Sequence, residues 1–310
     1  MLNEKEVSKI ETIVKEQSLL LPSDASLFFQ RRTKPLFTGK CKQSNRDVVF
    51  RIALAEPFKT SLKRETELYS LSDSLRFSFF PEVISQGKDA DAFWYTYDFI
   101  KGNILGNTYQ IDPKYWDFSI IKKIFDTLND LESLCKTMEL EVADSEWWKH
   151  LILTILKKDK DLAQSKIVKK AVEKMNAFLD SKRFEYSSPV HGDLHPQNII
   201  FPDQDKCKII DWETIHRNSP SLDFSFLWIR SYDNKKRREL KNLMLSLYPR
   251  VEGESNFVFL VNALRDYFEW HLIVGGHNEL IESKDLLPKT DPAMVIADLE
   301  SIVTDLLTAL

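Results

Sequence analysis

The chain has 310 residues, 43% of them hydrophobic and 29% charged, with 20 Phe and 7 Trp. That is apolar material for one large or two modest domains, and it excludes disorder over the bulk of the sequence. Eight glycines, against a typical usage of about 7%, exclude collagen-like or Gly-rich linker character and speak against a phosphate loop built from three or more of them.

The net charge of −4 argues against a dedicated nucleic-acid binder. Cys41, Cys135 and Cys207 are widely separated and form no C-x-x-C pair, so they read as free thiols of a reducing cytoplasm, with neither a zinc site nor a disulfide framework. The N-terminus lacks the basic start and apolar core of a signal peptide, and no run approaches the roughly 18 apolar residues of a membrane span. The expectation is a soluble cytoplasmic protein with no membrane and no nucleic-acid partner.

In chain order, Val7, Ile10, Ile13 and Val14 recur at helical spacing and predict a short amphipathic helix. Two β-prone runs, 26–30 and Asp47-Val-Val-Phe-Arg-Ile-Ala, flank a Lys/Asn/Ser stretch centred on Gly39, which reads as strands joined by turns. Seven basic residues and one acid lie between Arg31 and Arg51, a local excess of +6. Residues 58–75 predict an amphipathic helix with Leu62, Leu68, Leu71 and Leu75 roughly in line, and strands follow around 82–86 and 93–100.

Lys101-Gly102-Asn103 breaks the pattern and sets a domain boundary near Gly102. Residues 115–182 are helical in composition. The stretch 188–213 returns to strand and loop, with Asp203-Gln-Asp-Lys as a hairpin turn between two short apolar runs, and the remainder from 221 is helical. The order is α+β: a small mixed lobe, 1–101, followed by a large mostly helical lobe, 102–310, with a hairpin embedded in it.

The chemistry concentrates in His191-Gly-Asp-Leu-His-Pro-Gln-Asn198, followed thirteen residues later by Ile209-Ile-Asp211. Protein kinases carry H-x-D-x-x-x-x-N followed by a metal-binding Asp on the next strand. Transfer of a γ-phosphoryl group requires that an acceptor hydroxyl be oriented in line and relieved of its proton, and Asp193 is the carboxylate for that. Magnesium takes oxygen ligands and keeps several waters, so Asn198 and Asp211 suffice to hold it. A lone D-x-x-x-x-N is more often a turn in which Asx residues bond their own backbone; the company of His191, Gly192, His195 and Asp211 favours the functional reading. His195 is expected to pack beneath the loop.

The loop with its following Ile-Ile-Asp-Trp-Glu resembles the aminoglycoside phosphotransferase and choline kinase superfamily, over about residues 39–223. The resemblance implies a protein-kinase-like two-lobe fold, a small N-lobe with an antiparallel sheet and one main helix, ATP or GTP with Mg²⁺ as cofactors, and a small-molecule acceptor. Carried over residue by residue, it implies Asp193 as catalytic base and Asn198 and Asp211 as metal ligands. Arg51 takes the place of the strand cation that pairs the α/β-phosphates, with Glu65 as its ion-pair partner and Glu67 as the rival for that role. Asp98 and Ile100 offer backbone groups to adenine, and Asp223 braces the catalytic loop.

The sequence departs from the pattern in having Arg51 where many kinases have Lys, which differs in geometry, and in a phosphate-covering loop, 36–45, with one glycine. If that loop covers phosphates, Gly39 and Lys40 are the contacts; otherwise it is an ordinary hairpin turn. Trp147-Trp148, the set Asp266, Tyr267, Glu269 and Trp270 on one C-terminal helix, and the Lys235-Lys-Arg-Arg run read as helix packing and solvated helix faces, although the C-terminal helix can line an acceptor pocket. Glu213 is a candidate carboxylate for a cationic acceptor. A catalytically silent nucleotide-binding module of the same fold is the competing function. A protein kinase is disfavoured by the lack of Ala-Pro-Glu and of a long segment between Asp211 and Asp223.

Overall fold

The computed structural model describes residues 3–20, 36–42, 44–75, 79–181, 184, 187–202, 207–231, 233–274 and 291–310. Helix α1 (Glu4–Glu16) starts at Asn3, whose side chain and that of Glu6 cap each other's backbone amides. Strands β1 (Leu19–Leu20), β2 (Leu36–Cys41) and β3 (Asp47–Ala53) follow, then α2 (Phe58–Leu75), β4 (Val83–Lys88), β5 (Phe93–Asp98) and β6 (Asn103–Ile104). Next come α3 (Phe118–Asn129), α4 (Leu131–Leu134), α5 (Ser145–Leu156) and α6 (Lys166–Ser181), and four short strands, β7 (Ser188–Val190), β8 (Ile199–Phe201), β9 (Lys208–Ile209) and β10 (His216–Asn218). The chain closes with α7 (Ser221–Ile229), α8 (Asn234–Leu247), α9 (Glu252–Val274) and α10 (Pro292–Ala309). Among the described residues, no helix is long and apolar enough to cross a membrane.

These elements pack as two units, one of Met1–Asn103, Ser133–Met138 and Ile200–Thr214, the other of Ile104–Glu132, Glu139–Ile199 and Ile215–Leu310. The first is built on an antiparallel sheet in the order β1-β2-β3-β5-β4. Side chains alternate faces along a strand, and β3 uses both. Val48, Phe50 and Ile52 join Ile10, Ile13 and Val14 of α1, with Phe37 and Trp94, in one buried cluster. Arg51, between them, is thereby turned to the opposite face, where it meets Glu65 of α2 at 2.8 Å. On that face Tyr69 of α2 lies edge-on to Tyr95 and Tyr97 of β5.

One sequence expectation changes in this unit. The stretch centred on Gly39 is strand: Gly39 pairs with Val48 and Lys40 with Asp47 in the β2–β3 ladder. The reversal comes later, closed by Asn45 N–H to the Cys41 carbonyl at 2.8 Å, with Asn45 at φ 53°; Asn is one of the few residues besides Gly that tolerates this left-handed conformation. The run 26–30 and the turn 203–206 lie outside the described residues, although β8 and β9, which flank that turn, are hydrogen-bonded neighbours.

The second unit is organised around α9. Phe257, Val258, Phe259, Leu260, Val261, Ala263, Leu264 and Phe268 are all wholly buried, so this helix is apolar nearly all round, as a core helix is. Trp148 stacks on Phe184 and meets Phe257 edge-on, and Trp147 lies against His216, so the Trp pair is packing, as the sequence suggests. The basic run at 235–238 is not a wholly solvated face. Arg237 is 4% exposed and pairs with Asp298 of α10 through Nη1 at 3.1 Å and Nη2 at 2.5 Å.

Candidate active site

In the first unit, one guanidinium faces three carboxylates. Arg51 Nη1 contacts Glu65 at 2.8 and 3.0 Å and Asp211 Oδ1 at 2.9 Å, while Nη2 contacts Glu213 at 2.7 Å. Glu65 is also the acceptor for Tyr69 Oη at 2.8 Å and for the Trp212 amide at 2.9 Å. The Trp212 bond fixes the chain beside Asp211 to α2. Burial pushes the Glu65 carboxyl upward, and Arg51 opposes it. Glu67, the rival partner, is exposed on the outer face of α2.

Of these groups, Asp211 is the one open to solvent, its side chain 38% exposed against 8% for Arg51 and Glu213. It sits at φ 66°, a backbone position rare for a residue with a Cβ and recurrent at functional sites. Glu213, a candidate carboxylate for a cationic acceptor in the sequence reading, contacts Arg51 Nη2 here.

The other nucleotide candidates in this unit are spread along the sheet. Lys40 Nζ lies 3.8 Å from Asp47 and is half exposed. The Asp98 carboxylate faces Arg46 at 3.3 Å, and its amide donates to the Glu82 carbonyl at 3.2 Å. Ile100 lies two residues past the end of β5.

In the second unit, residues 191–198 form a loop closed on itself. The Asp193 amide donates to His191 Nδ1 at 3.2 Å, and the Asp193 carbonyl accepts from the His195 amide at 2.8 Å and from Asn198 Nδ2 at 3.1 Å. Asn198, 5% exposed, thus spends the donor end of its amide inside the loop; the other end is the oxygen a hard cation takes. Asp223, in the first turn of α7, accepts the His191 amide at 2.8 Å and the Gly192 amide at 3.0 Å. Gly192 is at φ 83°, which lets both amides point to one carboxylate. The loop is therefore tied to α7 by its own backbone.

The Asp193 carboxylate stands clear of these bonds. Its Oδ1 accepts from Arg265 Nη2 of α9 at 3.2 Å, and Oδ2 lies 3.7 Å from His195 Nε2. Burial raises its pKa, but His195, Arg265 and His191 outweigh that and hold it down at about 2. Arg265 is a residue the sequence reading missed. It lies 72 positions beyond Asp193, and no local motif marks it.

Among the described residues, no group of three or more His, Cys, Asp or Glu side chains is placed to hold a metal. Asp211 in the first unit carries a carboxylate and Asn198 in the second an amide oxygen, each a ligand type that a hard cation takes.

The sequence pattern of the phosphotransferase enzyme family matches residues 39–252. The chain belongs to this family. No curated protein sequence matches it significantly, but solved structures do. A macrolide 2'-phosphotransferase from Brachybacterium faecium is 12% identical with a TM-score of 0.60, the match covering 94% of this chain and 98% of that one. A choline kinase from Streptococcus pneumoniae is 16% identical with a TM-score of 0.57, covering 99% and 100%. A spectinomycin phosphotransferase, solved with ADP and spectinomycin, is 10% identical with a TM-score of 0.59, covering 96% and 98%. At such identities the likeness shows the fold, and the α+β kinase-like expectation stands.

Proposed function

We propose that this phosphotransferase is a small-molecule kinase that moves the γ-phosphoryl group of ATP or GTP to a hydroxyl of a small acceptor. Asp193 is the base. The acceptor oxygen forms a bond to the γ-phosphorus, the bond from that phosphorus to the β–γ bridging oxygen breaks, and the hydroxyl proton passes to Asp193. Asn198 and Asp211 hold magnesium, which when bound neutralises charge on the phosphates. Arg51, steadied by Glu65, pairs the nucleotide phosphates; Gly39 and Lys40 of β2 and the backbone at Asp98 and Ile100 meet the nucleotide. In this reading residues 1–101 serve the nucleotide and residues 102–310 the acceptor.

The observation that carries the proposal is the Asp193 carboxylate, set on a loop tied twice to Asp223 and with one oxygen on Arg265. Two further facts support it. Asp211, the carboxylate beside Arg51 that is open to solvent, is the kind of oxygen ligand a hard divalent ion takes. A spectinomycin phosphotransferase of similar fold has been solved with ADP and its small acceptor.

The test contrasts two near-isosteric substitutions. Asp193→Asn should retain nucleotide affinity and lose about 10²–10⁴-fold in turnover, the usual contribution of a general base. Asp211→Asn should weaken magnesium–nucleotide binding as well as rate, because the ion is what holds the phosphates. Calorimetric nucleotide binding with and without Mg²⁺, together with ADP release, separates the two. Full turnover in Asp193→Asn would remove the mechanism.

A further inference from the structure

The charges around Asp193 bear on what the acceptor is. On α9, Asp266 pairs with Arg230 at 3.2 Å, the two side chains 3% and 1% exposed. Glu269, one turn on, pairs with Lys158 at 2.9 Å and lies 3.6 Å from Arg265 Nε. Three carboxylates, Asp193, Asp266 and Glu269, are thus matched by three permanent cations, Arg230, Arg265 and Lys158. An acceptor carrying several ammonium groups finds each of these carboxylates already bound to a cation. It also meets a guanidinium on the base itself.

Arg265 differs from its neighbour Arg230. Both lie on the Phe226 ring, Arg265 at 4.9 Å and Arg230 at 5.4 Å from its centre. Arg230 is sealed in, donating to the Thr108 and Phe226 carbonyls as well as to Asp266. Arg265 is 24% exposed, and the carboxylate it holds is 32% exposed. A guanidinium carries five N–H donors in a planar fork that matches an oxyanion bidentately. The contacts Arg265 makes here run through Nη2 and Nε. An oxyanion on the acceptor can replace Asp193 as its counter-ion. That exchange frees Asp193 Oδ1 to accept from the acceptor's hydroxyl.

We propose, resting on the kinase reading above, that Arg265 is an acceptor-recognition residue and that the acceptor is an alcohol bearing an oxyanion, a carboxylate or a phosphate ester. Arg265 masks Asp193 until such a group arrives, so recognition and release of the base are one event.

Matched three-carbon alcohols test this: glycerate, glycerol 3-phosphate, glycerol and 3-amino-1,2-propanediol, each added to the full chain. Melting temperature is read over a baseline of Mg²⁺ with a non-hydrolysable ATP analogue, and ADP release is read with ATP. At least one of the two anionic alcohols should exceed glycerol by about tenfold in ADP release, the scale on which one site contact discriminates. It should also add to the melting temperature. The arm that responds distinguishes carboxylate from phosphate. The aminodiol should give no more than glycerol.

Arg265→Gln should erase the preference and leave the nucleotide-induced shift in place. Arg265→Lys, which keeps a point charge and guards against a folding defect in the first variant, should retain part of it. Equal responses to all four alcohols, a preference for the aminodiol, or an unchanged preference in Arg265→Gln would each overturn the inference. Loss of the nucleotide shift in the unmodified protein would instead overturn the kinase reading, and this inference with it.

Discussion

Arg51 explains why this chain has arginine on its third strand. Its two terminal nitrogens contact Glu65, Asp211 and Glu213 at 2.7–3.0 Å, and a single lysine ammonium cannot reach carboxylates on both sides of that fork. Arg51→Lys should therefore cost about 1–3 kcal/mol in unfolding free energy, the usual penalty for leaving a buried polar group unpaired. Denaturant unfolding measures it, and a stability unchanged within error would mean that the fork is not needed. Asp193 makes a different prediction. With its carboxyl held at about 2, below the ordinary value near 4, it is ionised throughout pH 5–9. A pH–rate profile should show no limb from it in that range. Because its folded pKa is depressed, the stability it contributes is present above its unfolded pKa and lost as pH falls toward 2. Cys207 goes the other way: burial raises its thiol to about 12. Alkylation at pH 8.5, followed by mass spectrometry, should find it unmodified under conditions that label a free cysteine peptide.

At the scale of elements, β3 shows how a period of two builds a site. Val48, Phe50 and Ile52 go to the cluster under α1, so Arg51 has to face α2. Helix periodicity then selects its partner, since Glu65 lies on the buried face of α2 and Glu67 on the exposed one. The end of the first sheet unit depends on a glycine. A Cβ at Gly102 would lie 2.5 Å from the Phe201 carbonyl oxygen and 2.9 Å from Ile200 Cγ2. Gly102→Ala should lower stability by about 1–3 kcal/mol, as overpacking does. A melting temperature equal to the parent's would show that the backbone there yields freely.

For the whole molecule, the electrostatic logic differs between the two units. In the first unit Asp211 is the solvent-open carboxylate of the three that contact Arg51, while in the second Asp193 and Asp266 are each paired with an arginine. Mg²⁺ and ATP together should therefore raise the melting temperature more than either does alone. At a nucleotide concentration of 100 Kd the gain is about 2.7 kcal/mol. Differential scanning fluorimetry checks this, and an identical shift from ATP without Mg²⁺ would count against a metal at Asn198 and Asp211.

The sequence by itself determined the α+β order, the two main helices of the first hundred residues, and the loop from His191 to Asn198 with Asp211 close behind. These are local properties: periodicity, turn chemistry, and a motif whose members lie within about twenty residues of one another. Gly39 misled because one glycine in a polar stretch looks like a turn, while the ladder to Val48 makes it strand. Glu213 meets Arg51 from 162 positions away, a pairing that local sequence does not mark. Only the tertiary structure decided the partners of the charges, Arg265 on Asp193 above all. Those pairings depend on how helices separated by many residues pack, and residue spacing carries no record of that.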